Sequence, residues 1–253
     1  MFKTKLLVLA LGAACAIPAM ADDAPTSFTY NFGAVSDYIY RGMTQTTHKP
    51  AVQGGVDYAH ASGVYAGAWA STVRWIKDSG AIATGDANIE LDTYFGFKNA
   101  IAADWTYDFG YVRYNYLGTY EPKAGFNNAD TAEVYGAATY KLVTLKYSYG
   151  LLDGFLTVPG AKGTNYLDLS VGYPVSDTGV TIGAHVGKQT FVGTTLSGGN
   201  ELGYTDYKLS LSKDFSGYLV GLAYTNTDAS PAWTYSGDQW GKAVVAVSLV
   251  HSF

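Results

Sequence analysis

One cysteine, seven prolines and a charged fraction of only 15% mark this 253-residue chain by what it has little of. The cysteine is Cys15, so everything C-terminal to it lacks a thiol. That excludes disulfides, thiolate metal sites and cysteine nucleophiles from the rest of the chain. Acidic residues outnumber basic ones, 21 to 16, and the net charge of −5 disfavours nucleic acid as a partner. Beyond the first 21 residues no apolar run reaches the roughly 20 residues of a membrane helix. Thirty glycines argue against long helices, since each destabilises a helix interior by about 1 kcal/mol relative to alanine. What is abundant is apolar surface, at 48%, and aromatic residues, at 15% with 22 tyrosines. That content is ample for burial and argues against disorder.

Lys3 and Lys5, the short apolar run 6–14 and the small residues of Ala19-Met20-Ala21 have the form of a secretory signal peptide. Residues 1–21 are therefore expected to be cleaved, leaving 22–253 as a single exported domain of 232 residues with net charge −7. Cys15 leaves with the leader. A lipoprotein attachment at Cys15 is the weaker alternative, because Gly12 stands where a bulky apolar residue is required.

Two-residue alternation recurs from end to end, which is the strand signature. Ile89, Leu91, Phe95 and Phe97 alternate with Glu90, Asp92, Tyr94 and Lys98. Tyr207, Leu209 and Leu211 alternate with Asp206, Lys208 and Ser210. Twelve such segments are expected, each about ten to thirteen residues, which suits a tilted bilayer crossing of ~9–11 residues. Short connections at 61–63, 99–103, 141–142, 176–179 and 216–217 alternate strictly with long ones near 41–50, 76–87, 117–131, 152–163, 190–203 and 228–240. This pattern predicts an all-β fold: an antiparallel up-and-down transmembrane β-barrel of about 12 strands, with long external loops and short periplasmic turns. A soluble β-sandwich also has one apolar and one polar face, but these strands are too long and too many for one.

If the apolar side faces lipid, parity assigns Asp37, Arg41, Asp57, Arg74, Glu90, Asp92, Lys98, Asp108, Glu133, Lys141, Lys146, Asp168, His185, Asp206 and Lys208 to the lumen. Arg113 breaks parity with Asp108, through a bulge or a place at the rim. Ala66, Ala68, Ala70, Thr72, Gly183, Gly187, Gly221 and Ala223 are expected to leave room for water inside. Twelve strands fall between barrels packed solid and wide channels. The interior is then either a narrow, mixed-charge channel or a lumen plugged by its own ion pairs. Tyr38, Tyr40, Trp69, Trp75, Trp105, Tyr147, Tyr149 and Tyr224 are candidates for an aromatic girdle. Phe253 ends the last strand, as in barrels inserted by the outer-membrane assembly machinery.

Signals for an enzyme are weak. His48, His60, His185 and His251 have no nucleophile placed by a recognisable motif, and G-x-S-x-G, H-E-x-x-H and P-loop patterns are missing. Asp78, Asp86, Asp130 and Asp228 in the long loops read as a solvated acidic surface before a Ca²⁺ site. No cofactor is expected. The partners expected are the lipid bilayer with lipopolysaccharide, the barrel-assembly machinery and small polar solutes, with the oligomeric state open. The function expected is passive diffusion of small hydrophilic solutes. A lipid-acting barrel enzyme and a structural or adhesive barrel are the alternatives.

The segments Ser36-Asp37-Tyr38-Ile39-Tyr40-Arg41-Gly42, Lys49-Pro50-Ala51-Val52-Gln53-Gly54-Gly55-Val56-Asp57-Tyr58 and Ala61-Ser62-Gly63-Val64-Tyr65-Ala66-Gly67 resemble the opening of the TorF-type porins of Gram-negative outer membranes. The specific match covers about the first fifth of the mature chain. The resemblance implies a barrel and a porin role, and it carries no substrate and no functional residues.

Overall fold

The computed structural model describes residues 26–193 and 202–253, so the leader expected at 1–21 lies outside the described residues. Strand β1 (Thr26–Val35) is followed by a small hairpin, β2 (Ile39–Tyr40) and β3 (Met43–Thr44), and then by β4 (Ala51–His60) and β5 (Val64–Thr72). A one-turn helix, α1 (Trp75–Asp78), precedes the long pair β6 (Ala83–Ala102) and β7 (Trp105–Pro122), with β8 (Thr131–Tyr140) and β9 (Val143–Gly150) after it. A second hairpin, β10 (Gly154–Phe155) and β11 (Val158–Pro159), leads to β12 (Asn165–Val175), β13 (Val180–Thr190), β14 (Tyr204–Phe215) and β15 (Tyr218–Thr227). A 3-10 turn at Pro231–Trp233 and a third hairpin, β16 (Thr234–Tyr235) and β17 (Asp238–Gln239), lead to β18 (Val244–Ser252).

The twelve long strands close into one antiparallel barrel, each paired with its neighbours in the chain and β1 with β18. At the seam Tyr30 N–H donates to the Phe253 carbonyl at 2.9 Å and Phe253 N–H to the Tyr30 carbonyl at 3.0 Å. Closure removes the unpaired edge that an open sheet would present. The alternation in sequence becomes alternation in space. Tyr207, Leu209 and Leu211 on β14, and Val245, Val247 and Leu249 on β18, all face outward and are exposed, with Leu209 at 61%. Asp206, Ser212, Ala246 and Ser248 on the same strands are buried inside. An exterior of exposed Leu, Val, Ile and Phe has no partner within the chain, and the hydrophobic effect requires an apolar medium around it.

Two expectations need correction at the long-loop end. Strands β6 and β7 run 20 and 18 residues, because Ala83 still pairs with Pro122, so parts of the loops expected at 76–87 and 117–131 are strand. Described residues of the long connections near 41–50, 152–163 and 228–240 fold inward. Tyr38, Tyr40, Met43, Trp75, Ile76, Phe155, Trp233 and Trp240 form one buried apolar cluster that caps the barrel.

The facing of β5 is also the reverse of that expected. Tyr65 and Trp69 point inward, and Ala66, Ala68, Ala70 and Thr72 outward, because Asp57, Gly67 and Tyr94 share one inner row across β4, β5 and β6. The Tyr65 hydroxyl donates to Asp108 Oδ1 at 2.6 Å. The hydroxyl end of the Tyr65 ring lies against Gly96, where a Cβ would overlap it. Around Arg113 the register is unbroken on both sides, so no bulge intervenes; the residue faces outward and its guanidinium reaches Asp130 at 3.9 Å.

Candidate lumen site

The inner wall carries the charge. At the cap end Glu90 and Asp92 on β6, Glu133 on β8 and Asp206 on β14 are all buried, as is Asp37 in the first loop. Toward the short turns the inward positions Gly67, Gly96, Ala137, Lys146, Ser170 and Ser210 are partly exposed. The bore is thus filled at its long-loop end, while its other half mixes these partly exposed positions with the buried Tyr94–Asp57 pair and the part-buried Tyr65–Asp108 pair.

The first loop makes the plug. Arg41 and Gly42 form the two-residue turn between β2 and β3, both with positive φ (47° and 78°), as a tight hairpin turn demands. Glycine is required at 42, because a Cβ there would overlap Thr227 and Asp206. The turn delivers the Arg41 guanidinium into the bore. It donates to both carboxylate oxygens of Glu133 (3.0 and 2.7 Å) and to Gln189 Oε1 (3.0 Å). The rings of Tyr166 and Tyr40 face its Cζ at 4.3 and 4.8 Å. The fork geometry and flanking rings are those arginine satisfies and lysine does not. The Asp37 carboxylate accepts from Thr44 and Thr46 (2.6 and 3.1 Å) and meets His48 Nδ1 at 2.7 Å, folding the loop back on itself. His48 Nε2 lies 3.3 Å from Asp238, tying the first loop to the last.

Tyrosines and one histidine organise the remaining acids. Tyr94 donates to Asp57, and the Tyr38 hydroxyl reaches Glu90 Oε1 at 3.0 Å. His185 is bracketed by Asp168 at Nδ1 and by Asp206 at Nε2 (2.7 Å), and Tyr166 donates to Asp206 Oδ2 at 2.8 Å. Lys146 sits 3.8 Å over the Tyr135 ring, and Lys208 stands among Asp168 and Asp206.

Other residues expected in the lumen stand elsewhere. Arg74 is an exposed residue at the start of α1, paired with Asp78 at 3.0 Å. Lys141 is exposed in a tight turn (φ 53°), 3.8 Å from Asp104, because the strand ends before it. Lys98 has inward parity but is exposed at the turn end. Four girdle expectations also require correction. Tyr38, Tyr40 and Trp75 are buried in the cap, and Trp69 points inward against Tyr38 with ring centroids 5.5 Å apart. Trp105, Tyr147, Tyr149 and Tyr224 lie exposed on the outer wall, as does the terminal Phe253, which stacks on Tyr30 at 6.0 Å.

In the loops, burial works against the charge of the Asp78 carboxyl. Hydrogen bonds from Thr47 and Arg74, with the nearby Lys49, outweigh it and hold the pKa below its ordinary value. Asp86 meets Lys77 (2.8 Å), Asp130 accepts from Tyr116 N–H (2.9 Å) and Asp228 accepts from Thr205 N–H (2.5 Å). Among the described residues no group of three or more His, Cys, Asp or Glu is placed to hold a metal. His60 Nδ1 lies 2.7 Å from Ser62 Oγ, but the same nitrogen accepts the Ser62 backbone N–H (3.1 Å), which makes this a turn contact.

Residues 19–253 match the model of a bacterial protein family of unknown function (Gcw_chp), and the chain belongs to that family. No curated protein sequence matches it. Among solved structures it is similar to a doubly substituted OccD1 (OprD), with 14% identity and a TM-score of 0.38 over 89% of this chain and 65% of that one. It is similar to OccAB3 of Acinetobacter baumannii, with 12% identity and a TM-score of 0.44 over 92% and 66% of the two chains. It is similar also to OprD of Pseudomonas aeruginosa, with 15% identity and a TM-score of 0.39 over 100% and 74%. The chain thus spans just under two thirds of the length of the first two.

Proposed function

We propose that this Gcw_chp member is an outer-membrane channel for small hydrophilic solutes, held shut at its outer mouth by the β2–β3 hairpin. The single observation that carries the reading is the inversion of the wall, apolar and exposed outside, polar and charged inside, around a bore with partly exposed inward positions toward the short turns. Such a wall is stable in hydrocarbon, where a closed barrel satisfies every backbone group. The expected signal peptide supports export, the long loops then face outward, and the terminal Phe253 suits insertion by the barrel-assembly machinery. The mixed signs inside favour selection among small polar solutes over a filter of one charge.

Planar-bilayer recording on refolded protein, with folding verified by heat-modifiable gel mobility, tests the reading. Wild type is expected to show rare, brief openings, and variants lacking the Arg41 anchor frequent ones. Silence from both, with folding intact, refutes the channel and leaves a structural or adhesive barrel. Phospholipid release abolished by a single Ser or His change would instead establish the enzyme reading.

A further inference from the structure

Glu90 and Asp92 lie two positions apart on β6 and so face the bore together. They are 1% and 4% exposed. The Tyr38 hydroxyl donates to Glu90 Oε1 and Tyr116 also bonds the Glu90 carboxylate, but Asp92 Oδ1 is buried with no hydrogen-bond partner. The charges that bear on Asp92 are the carboxylates of Glu90 and Glu133, and Glu133 is already taken by Arg41. Among the described residues no ion pair involves Glu90 or Asp92. Two neighbouring buried carboxylates without a counter-charge either take up a proton or are completed by something positive.

The surroundings say what that is. Trp69 is the register partner of Asp92 on one side and Tyr114 on the other, and Tyr116 is the partner of Glu90. The Tyr38 ring meets Trp69 edge-on. Aromatic faces beside carboxylates hold organic cations. The same bore shows the solution already built once, where a carboxylate, an amide and two tyrosine rings hold the Arg41 guanidinium. Among the described residues no third His, Cys, Asp or Glu ligand joins the pair to favour a metal.

We propose that Glu90 and Asp92, walled by Tyr38 and Trp69, form a binding site for an organic cation, a guanidinium or primary ammonium group, on the solute path beneath the cap. This rests on the channel reading for the route of the solute but not for binding. The cation enters from the short-turn half of the bore, passes the Tyr65 and Tyr94 side chains, and meets the two carboxylates where the cap blocks further travel.

The test is a titration of the refolded protein in detergent with methylguanidinium chloride, read by tryptophan fluorescence with Trp69→Phe as the subtraction, and by the temperature at which heat-modifiable mobility is lost. Wild type is expected to show saturable quenching and a rising unfolding temperature. Glu90→Gln/Asp92→Asn is expected to bind at least tenfold more weakly while still folding, and urea, neutral and similar in shape, to give no saturable signal. The single variants Glu90→Gln and Asp92→Asn serve if the double variant does not fold. No saturable response in wild type, or an equal response in the variants, overturns the site. A response to CaCl₂ that the same variants abolish, with none to methylguanidinium, overturns the ligand class. Binding without conductance keeps the site and refutes the channel, so the two failures are distinguishable.

Discussion

Replacing Arg41 by alanine strikes a charged contact that spans the bore from the first loop to the far wall. The Arg41 and Glu133 side chains are 8% and 1% exposed, so their pairing is buried and screened little by salt. Removing one partner of such a pair costs about 3–5 kcal/mol, because the other charge is left buried and unpaired. That loss falls on the hairpin and not on the wall, since Arg41 belongs to the turn between β2 and β3 while Glu133 and Gln189 belong to β8 and β13. At 1.4 kcal/mol per tenfold, the lower bound shifts the balance between seated and displaced hairpin by about 100-fold. Single-channel recording should therefore show open probability rising by about two orders of magnitude, with heat-modifiable mobility retained. Arg41→Lys keeps the charge but loses the two-pronged contact, and should fall between the two. A folded Arg41→Ala protein that gates like wild type would refute the assignment of the hairpin as the plug.

Leu209→Arg, on the exposed wall, should cost ~2–4 kcal/mol of folding stability in lipid vesicles near mid-depth. Ala137→Arg, inward and partly exposed opposite Asp108, should be tolerated; equal penalties in urea titrations would overturn the facing. Gly96→Ala should destabilise the barrel by about 1–3 kcal/mol through overpacking against the Tyr65 ring, and unchanged unfolding would show the contact to be slack. Asp78 has a folded-state pKa below its unfolded value, so its contribution is present above the unfolded pKa of about 3.9 and lost as pH falls through the lower folded value. The protection of the α1 loop against limited proteolysis, compared between wild type and Asp78→Asn, should then differ at neutral pH and converge in strong acid. A difference that persists unchanged in acid would sink that linkage.

The barrel was legible because a period of two survives wherever one face of a strand meets lipid and the other does not. On β14 and β18 leucine and valine alternate with serine and aspartate, so facing could be read directly. On β5 the contrast fails: small Ala residues line the outer face and Gly and Ser the inner one, and the two aromatic residues point into the bore to reach Asp108 and Tyr38. Tyr38, Tyr40 and Trp75 misled for a related reason, since an aromatic ring near a strand end suits the membrane boundary and a buried cap alike. The partnership of Arg41 with Glu133 bridges 92 positions and depends on which way the first loop folds, which no local pattern encodes. The positive-φ pair Arg41-Gly42 is the one local sign of a tight reversal there.

The seam where β1 meets β18 joins the ends of the described strands through five paired positions extended by the Tyr30–Phe253 and Ser36–Val247 bonds, against ten paired positions between β1 and β4. Every other ladder links strands that follow one another, so this junction alone must wait until the whole circuit has been laid down. Until it zips, two bare edges stand open, and the same brevity makes it the place where the finished cylinder would part sideways first. Deuterium should enter the amides of 31–35 and 248–252 ahead of those in the rest of the wall.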